Sequence, residues 1–304
     1  MIAPRQLLRI GSFFCLLGGL MASDTDTLKE AALETLWQVL KNEQGWPKVH
    51  AAEALIDCGY AAEIRNFCDA FSPETANSGF PLIGYYRVRA RCGSDLHERA
   101  LWLDHLKRRA LDFESPLQVL AIESLAKLQA PLIEEERLKV REFIRTASHE
   151  NALFGWWLLA SNDTPKAQDA VREALAVKEV KSQSRAALVL RMLNSRDSRV
   201  LEQLLQTIKE EPPESLAIPH LIAAAACLDR DPARLATWQA RLEEIFLSEN
   251  PASAYQAAQA LMKLTLLISP KSLRLRLAHP QPDIRIGTAW LILKSRGLLC
   301  DHGS

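Results

Sequence analysis

The sequence predicts an all-α protein, a superhelical solenoid in which consecutive helix pairs stack as layers. Three observations lead there. Leu and Ala dominate the 304 residues, with Glu, Lys and Arg behind them and only 12 glycines, which is the composition of good helix formers. Apolar residues recur at i, i+3, i+4 and i+7, the signature of one helix face, and that face returns along the chain. Ser, Thr, Asp or Asn followed by Pro stands repeatedly between the apolar stretches, as at a helix start. No alternating β-branched run bounded by hairpin turns interrupts this pattern.

The first residues stand apart. Arg5 and Arg9 precede an uncharged apolar run from Ile10 to Met21, and the small residues Ala22 and Ser23 follow. A positive start, a short apolar stretch and a small-residue exit describe a secretory signal peptide over residues 1–23. The run is too short for a comfortable bilayer span. The expected location is therefore outside the cytoplasm, periplasmic or at the cell surface. Cys15 follows Phe13 and Phe14 rather than the small residues of a lipoprotein signal. Residues 24–304 are expected to form the solenoid, with about seven to eight degenerate repeats.

The repeat begins with Thr27 to Asn42, a helix with Leu33, Leu36, Trp37 and Leu40 on one face, suited to close the N-terminal end of a stack. Ala51, Ala54, Leu55 and Cys58 form the first copy of the recurring face. It returns at Ala121, Ser124, Leu125 and Leu128, at Phe154, Trp157, Leu158 and Ser161, and at Ala186, Val189, Leu190 and Leu193. Three more copies start at Leu221, Ala257 and Ile286. Successive starts lie 29 to 36 residues apart, except for one gap of 70, which a degenerate copy near Tyr86 fills. Between these faces lie second amphipathic stretches, with Val171, Leu204 and Leu242 near their centres, so each unit reads as helix, turn, helix. Ser72-Pro73, Ser115-Pro116, Thr164-Pro165, Asp231-Pro232, Asn250-Pro251 and Ser269-Pro270 are the expected starts. One such pair cannot bury its own apolar side, so stability must come from stacking on neighbours.

Pro47-x-Val49-His50-x-Ala52-x-x-Leu55 followed by Gly59, and Pro282-Asp283-Ile284-Arg285 followed by Ala289, resemble HEAT repeats. They are most similar to the short bacterial type also seen in phycobilisome lyases. The arginine frequent in the family's fourth slot matches Arg185 and Arg285, and His50, Leu120 and Gln256 replace it elsewhere. The resemblance implies an α/α superhelix and a binding or scaffold role. It does not imply an activity, because a fold hosts many functions.

Charge excludes some functions. Basic and acidic residues balance at 37 each, so no field of one sign argues for nucleic acid or an anionic membrane. No phosphate loop, H-E-x-x-H, G-x-S-x-G or C-x-x-C is present, and neither an enzyme activity nor a cofactor is expected. The cysteines beyond the signal, Cys58, Cys68, Cys92, Cys227 and Cys300, are odd in number and widely spaced, which is no disulfide framework. Cys58 reads as a buried thiol, with a Cys58–Cys68 bridge between neighbouring helices as the alternative. His50 and Glu53 have a spacing that can hold a metal, but His50 sits in the slot from which a side chain spans to the adjoining unit. Asp104 and His105 are adjacent and read as a solvated pair.

The residues expected to bind a partner are Arg87, Arg89, Arg91, Lys107, Arg108, Arg109 and Tyr86, with Tyr85 and Trp102 nearby. If the two helices pack side by side, these six cations share one surface, which would suit an anionic glycan, a phosphate group or an acidic protein loop. The competing reading is two solvated faces neutralised by Asp95, Glu98, Asp104, Asp112 and Glu114. Arg274 and Arg276 near Arg285 form a weaker second cluster. Trp37, Trp157, Trp238 and Trp290 fall on apolar faces and read as core, while Trp46 and Trp156 are candidates for exposure. The turn-rich segment from Ala70 to Pro81 is expected to lie with the Arg87–Arg109 region at one edge of a concave surface. A protein partner held on that surface is the expected function, and an anionic polysaccharide bound beside secreted hydrolases or sulfatases is the alternative.

Overall fold

The computed structural model describes residues 26–70, 79–162, 165–263 and 268–295. The signal segment 1–23, Cys15, Cys300, Ser72-Pro73 and most of the 70–81 loop lie outside them. Among the described residues the chain is all helical, with sixteen α-helices and no strand. None is long and apolar enough to cross a membrane.

Helix α1 spans residues 26–42. It is followed by α2 (Trp46–Asp57), α3 (Ala61–Asp69), α4 (Leu82–Cys92), α5 (Leu96–Ala110), α6 (Gln118–Lys127), α7 (Glu134–Thr146) and α8 (His149–Ala160). The second half holds α9 (Pro165–Glu173), α10 (Val180–Leu193), α11 (Ser198–Glu210), α12 (Ile218–Leu228), α13 (Pro232–Leu247), α14 (Pro251–Leu261), α15 (Pro270–Leu277) and α16 (Pro282–Lys294). Asp231, Asn250 and Ser269 cap α13, α14 and α15 through their side chains, each with proline at the first helical position. Pro165 likewise opens α9. Ser115-Pro116 differs from expectation. It forms a turn in which Ser115 Oγ accepts from Leu117 N, and α6 starts only at Gln118.

The ends of the inner helices repeat as well. After α2, Tyr60 N bonds Leu55 O and Gly59 N bonds Ile56 O, with Gly59 at φ 100°. The same pair of bonds follows α6, with Gln129 at φ 49°, and α10, with Asn194 at φ 49°. This is a Schellman turn, built once on Gly, once on Asn and once on Gln.

Even-numbered helices pack on one another in chain order, α2 on α4, α4 on α6 and so on to α14 on α16. Odd-numbered helices from α3 to α15 back them on the outside. The recurring faces read from the sequence are the buried sides of the inner helices, with Ala51, Leu55, Ala121, Leu125, Trp157, Ala186, Leu190, Leu221, Ala257 and Ala289 all in the core. An open superhelix would leave its last layer facing solvent. Here α16 packs against α2, so eight inner helices form a closed ring. His50 meets Asp283 at 2.9 Å, Arg285 meets Glu43 at 2.7 Å, and Lys294 Nζ donates to Asp57 O at 3.0 Å across that seam. The thiols of Cys58, Cys68, Cys92 and Cys227 are free, so Cys58 and Cys68 are not bridged. Burial pushes Cys58 up to about 11 and Cys68 up to about 12.

Candidate functional site

Ring closure turns the concave side of the stack into the wall of a cavity of about 430 Å³. Helix α2 presents His50, Glu53 and Asp57 to it, three residues on one helical face spanning about 10 Å along the axis. Arg87 and Arg91 on α4 and Glu123 and Lys127 on α6 follow with the same i, i+4 logic. Tyr255, Gln256 and Gln259 enter from α14, and Asp283 and Trp290 from α16.

The charges are paired where they stand. Glu53 takes a forked grip from Arg87, Nε to Oε1 at 2.7 Å and Nη2 to Oε2 at 3.0 Å. Arg87 also reaches Ser124 Oγ at 3.3 Å and lies over the Trp46 ring. Burial alone would raise the Glu53 carboxyl, but the Arg87 guanidinium outweighs it and holds the group down to about 2. Arg91 pairs with Asp57, Lys127 with Glu123, and His50 with Asp283. An aromatic strip runs beside them. His50 stacks on Tyr255 with ring centroids 5.0 Å apart, and Trp290 lies 6.1 Å beyond Tyr255. Burial, then the carboxylates of Glu53 and Asp283, push the Tyr255 hydroxyl up, so it stays a neutral donor. On the far side Arg191 reaches over the Ala-rich α12 to bond Gln256 O, Gln256 Oε1 and Gln259 Oε1 of α14.

The cations expected to share one surface do not. Arg87 and Arg91 point into the ring, and Arg87 is only 2% exposed. Arg89, 7% exposed, pairs with Asp69 and Glu98 and lies over the Trp102 ring at 4.9 Å. Lys107 is held by Glu136 at 2.9 Å, Arg108 by Asp104 at 3.3 Å, and Arg109 faces solvent. Tyr86 is buried and stacks on His105 at 4.9 Å. The physical reason is the helical period. Residues two apart lie on opposite sides of a helix, so Arg89 cannot join Arg87 and Arg91. The neutralising acids expected from the sequence take part, Glu98 and Asp104 as ion-pair partners and Asp95 as the cap of α5.

The second basic cluster is also divided. Arg276 is buried over the Phe246 ring, Arg274 is exposed, and Arg285 is tied to Glu43. His50 and Glu53 point to different partners, and the described residues hold no group of three or more His, Cys, Asp and Glu placed to bind a metal. Trp157 and Trp238 are buried, while Trp37, Trp46, Trp156 and Trp290 are half-buried. The sequence reading missed Tyr255, Gln259, Glu123 and Asp283 as cavity residues. Gln256 carried a signal, because it replaces the arginine of its repeat slot. No family model matches the chain, and no curated protein or solved structure matches it.

Proposed function

We propose that the chain is an exported, non-catalytic binding protein built from HEAT-like helix pairs, and that it holds a small polar molecule inside its ring. The observation that carries this reading is the closure of α16 on α2, which encloses a cavity of about 430 Å³. That volume falls within the roughly 300–1,000 Å³ typical of small-molecule pockets and is too small for a protein segment of any length. The walls favour an uncharged or zwitterionic guest. Four acids face three strong bases and His50, each acid already in an ion pair, so an anionic polymer finds no excess of positive charge there. A polyhydroxylated compound can stack on the Tyr255–Trp290 strip and exchange hydrogen bonds with Gln256, Gln259 and the paired side chains.

A protein partner is the second reading, moved from the concave to the outer surface. Leu96 and Leu101 on α5, and Ile133 and Leu138 at α7, are exposed, and the Lys107–Glu136 bridge links these two helices. A thermal-shift and calorimetric panel of neutral sugars, polyols and amino acids separates the two. A neutral or zwitterionic compound is expected to raise the melting temperature and to bind at least tenfold more weakly to Tyr255→Phe. If the panel gives no shift while Leu101→Asp with Leu138→Asp abolishes capture of a protein partner, the cavity reading is wrong.

A further inference from the structure

A second concavity of about 480 Å³ lies away from the central cavity, where α10, α12 and α14 end. Asn194, Cys227, Arg230, Leu235 and Lys263 line it, together with Asp229. Its charges are not balanced as those of the central cavity are. Arg230 donates to the Asn194 carboxamide oxygen at 3.2 Å, a neutral acceptor. Lys263 makes no ion pair among the described residues and lies near Cys227. Behind Cys227 stands Arg191, 4% exposed, whose donors end on a backbone carbonyl and two carboxamides. A buried arginine without a carboxylate is costly, and beside Arg191 the exposed Arg230 and Lys263 also lie near the same thiol.

Two sources of negative charge could answer them, and neither suffices. Asp229 is fully buried, but its carboxylate is spent on Arg234 at 2.7 Å and on Trp238 Nε1 at 2.8 Å. The ends of α10, α12 and α14 each present roughly half a negative charge, about 1.5 in total against three cations. At the other end of α12, burial first and then the Arg191 charge hold the His220 imidazole down to about 4, and its buried Nδ1 has no partner.

We propose that this concavity at the ends of α10, α12 and α14 is an anion site that takes a phosphate or sulfate group, free or carried on a larger molecule. Arg230 and Lys263 supply the contacts at the mouth, and Arg191 supplies a fixed buried charge behind them. The site shares no lining residue with the central cavity, and Arg191, which bonds Gln256 and Gln259 of that cavity, is the group that touches both.

The test is calorimetric titration of the full chain with sodium phosphate and sodium sulfate at constant ionic strength, with sodium chloride as reference. Saturable binding by both oxyanions is expected, at least tenfold weaker in the double variant Arg230→Gln, Lys263→Gln and unchanged in Arg108→Gln. Those two substitutions are at exposed positions and leave the buried Arg191 in place, so folding is retained. A sugar phosphate and a sulfated sugar, each beside its unmodified parent, distinguish the source. Tighter binding than the free anion identifies a carried group, and equal binding identifies the free ion. Heats for phosphate and sulfate that equal those for chloride, or that persist in the double variant, overturn the proposal and leave the cations as compensation for the helix ends.

Discussion

His50 Nδ1 lies 2.9 Å from Asp283 Oδ1, although 233 residues separate them in the chain. Both occupy the stretches that carry the repeat, His50 in the slot where other copies place arginine. Arg185 in that slot reaches Asn151 on the inner helix of the preceding unit, and His50 makes the same step around the ring, from the first inner helix to the last. The seam is thus stitched by the repeat's own device. His50→Ala or Asp283→Ala should cost only about 0.5–1 kcal/mol, because the pair is partly exposed. The decisive measurement is hydrogen exchange. Either substitution is expected to speed exchange in α2 and α16 together and leave α8 unchanged. Exchange that rises on one side alone would mean that the two ends open separately.

Gly84 sets how closely α4 approaches α2. A Cβ at this position would stand 2.4 Å from Val49 Cγ2, well inside contact distance, on a buried helix. Gly84→Ala gains roughly 0.5–1 kcal/mol of helix propensity but forces overpacking that costs about 1–3 kcal/mol. A net loss of about 1 kcal/mol is expected in chemical denaturation. Val49→Ala in the same chain should recover part of it, giving a coupling energy in a double-mutant cycle. Independent, additive effects would show that the two helices do not meet there.

Gln129 holds the left-handed position of its Schellman turn at φ 49°, where the first copy uses Gly59 at φ 100°. Left-handed backbone costs an ordinary side chain roughly 1–2 kcal/mol. Gln129→Gly is expected to stabilise the fold by about 1 kcal/mol less the extra chain entropy of glycine. Gly59→Ala is expected to destabilise it by a similar amount. Urea midpoints of the two variants that move in the same direction would contradict this.

Several of these features were legible in the sequence and others were not. The inner helices were, because Ala51, Ala54 and Leu55 and their later equivalents must face a neighbour to leave water, and spacing alone shows this. The outer helices α3 and α7 are more sharply divided into apolar and polar sides than the inner helices α2, α8 and α16, which are buried on more of their circumference. The seam was invisible, since periodicity describes neighbours in the chain and says nothing about how far each layer turns relative to the last. A small rotation per unit, summed over eight, decides between an open superhelix and a ring. The basic cluster failed for a different reason. Arg87, Arg89 and Arg91 look like one group in the linear sequence, yet the helical period sends the middle one to the other side, toward Asp69 and Glu98. Asp283 became recognisable as the partner of His50 only once the ring brought α16 to α2, whereas Glu53 and Asp57 meet Arg87 and Arg91 on the next inner helix.

The Glu53–Arg87 pair should behave as a buried ion pair. Arg87 is 2% exposed and Glu53 12%. Removing one partner, as in Arg87→Met or Glu53→Leu, leaves an uncompensated charge and should cost about 3–5 kcal/mol. Replacing both at once should be far milder, within about 1–2 kcal/mol of the parent, because two apolar side chains of similar volume need no partner. Equilibrium denaturation of the three variants checks this. A double variant as unstable as the singles would mean that the pair contributes more than mutual neutralisation, for example through Ser124.

Acid should weaken the fold in two separate windows. His220 has its basicity lowered from the ordinary 6.5 to about 4 by burial and then by Arg191. Its neutral form fits the fold, so its contribution is complete above about pH 6.5 and falls away as the pH drops toward 4. Glu53, lowered from 4.5 to about 2 with Arg87 outweighing its burial, contributes above about pH 4.5 and loses that contribution as the pH falls toward 2. Linkage converts the second shift to roughly 3 kcal/mol. Stability measured by urea titration from pH 8 to pH 2.5 is therefore expected to decline in two steps. His220→Gln should flatten the step between pH 6.5 and 4 alone. Glu53→Gln should lower stability at neutral pH and remove the lower step. A His220→Gln profile parallel to that of the parent through pH 5 would show that this histidine is solvated and titrates normally in the folded protein.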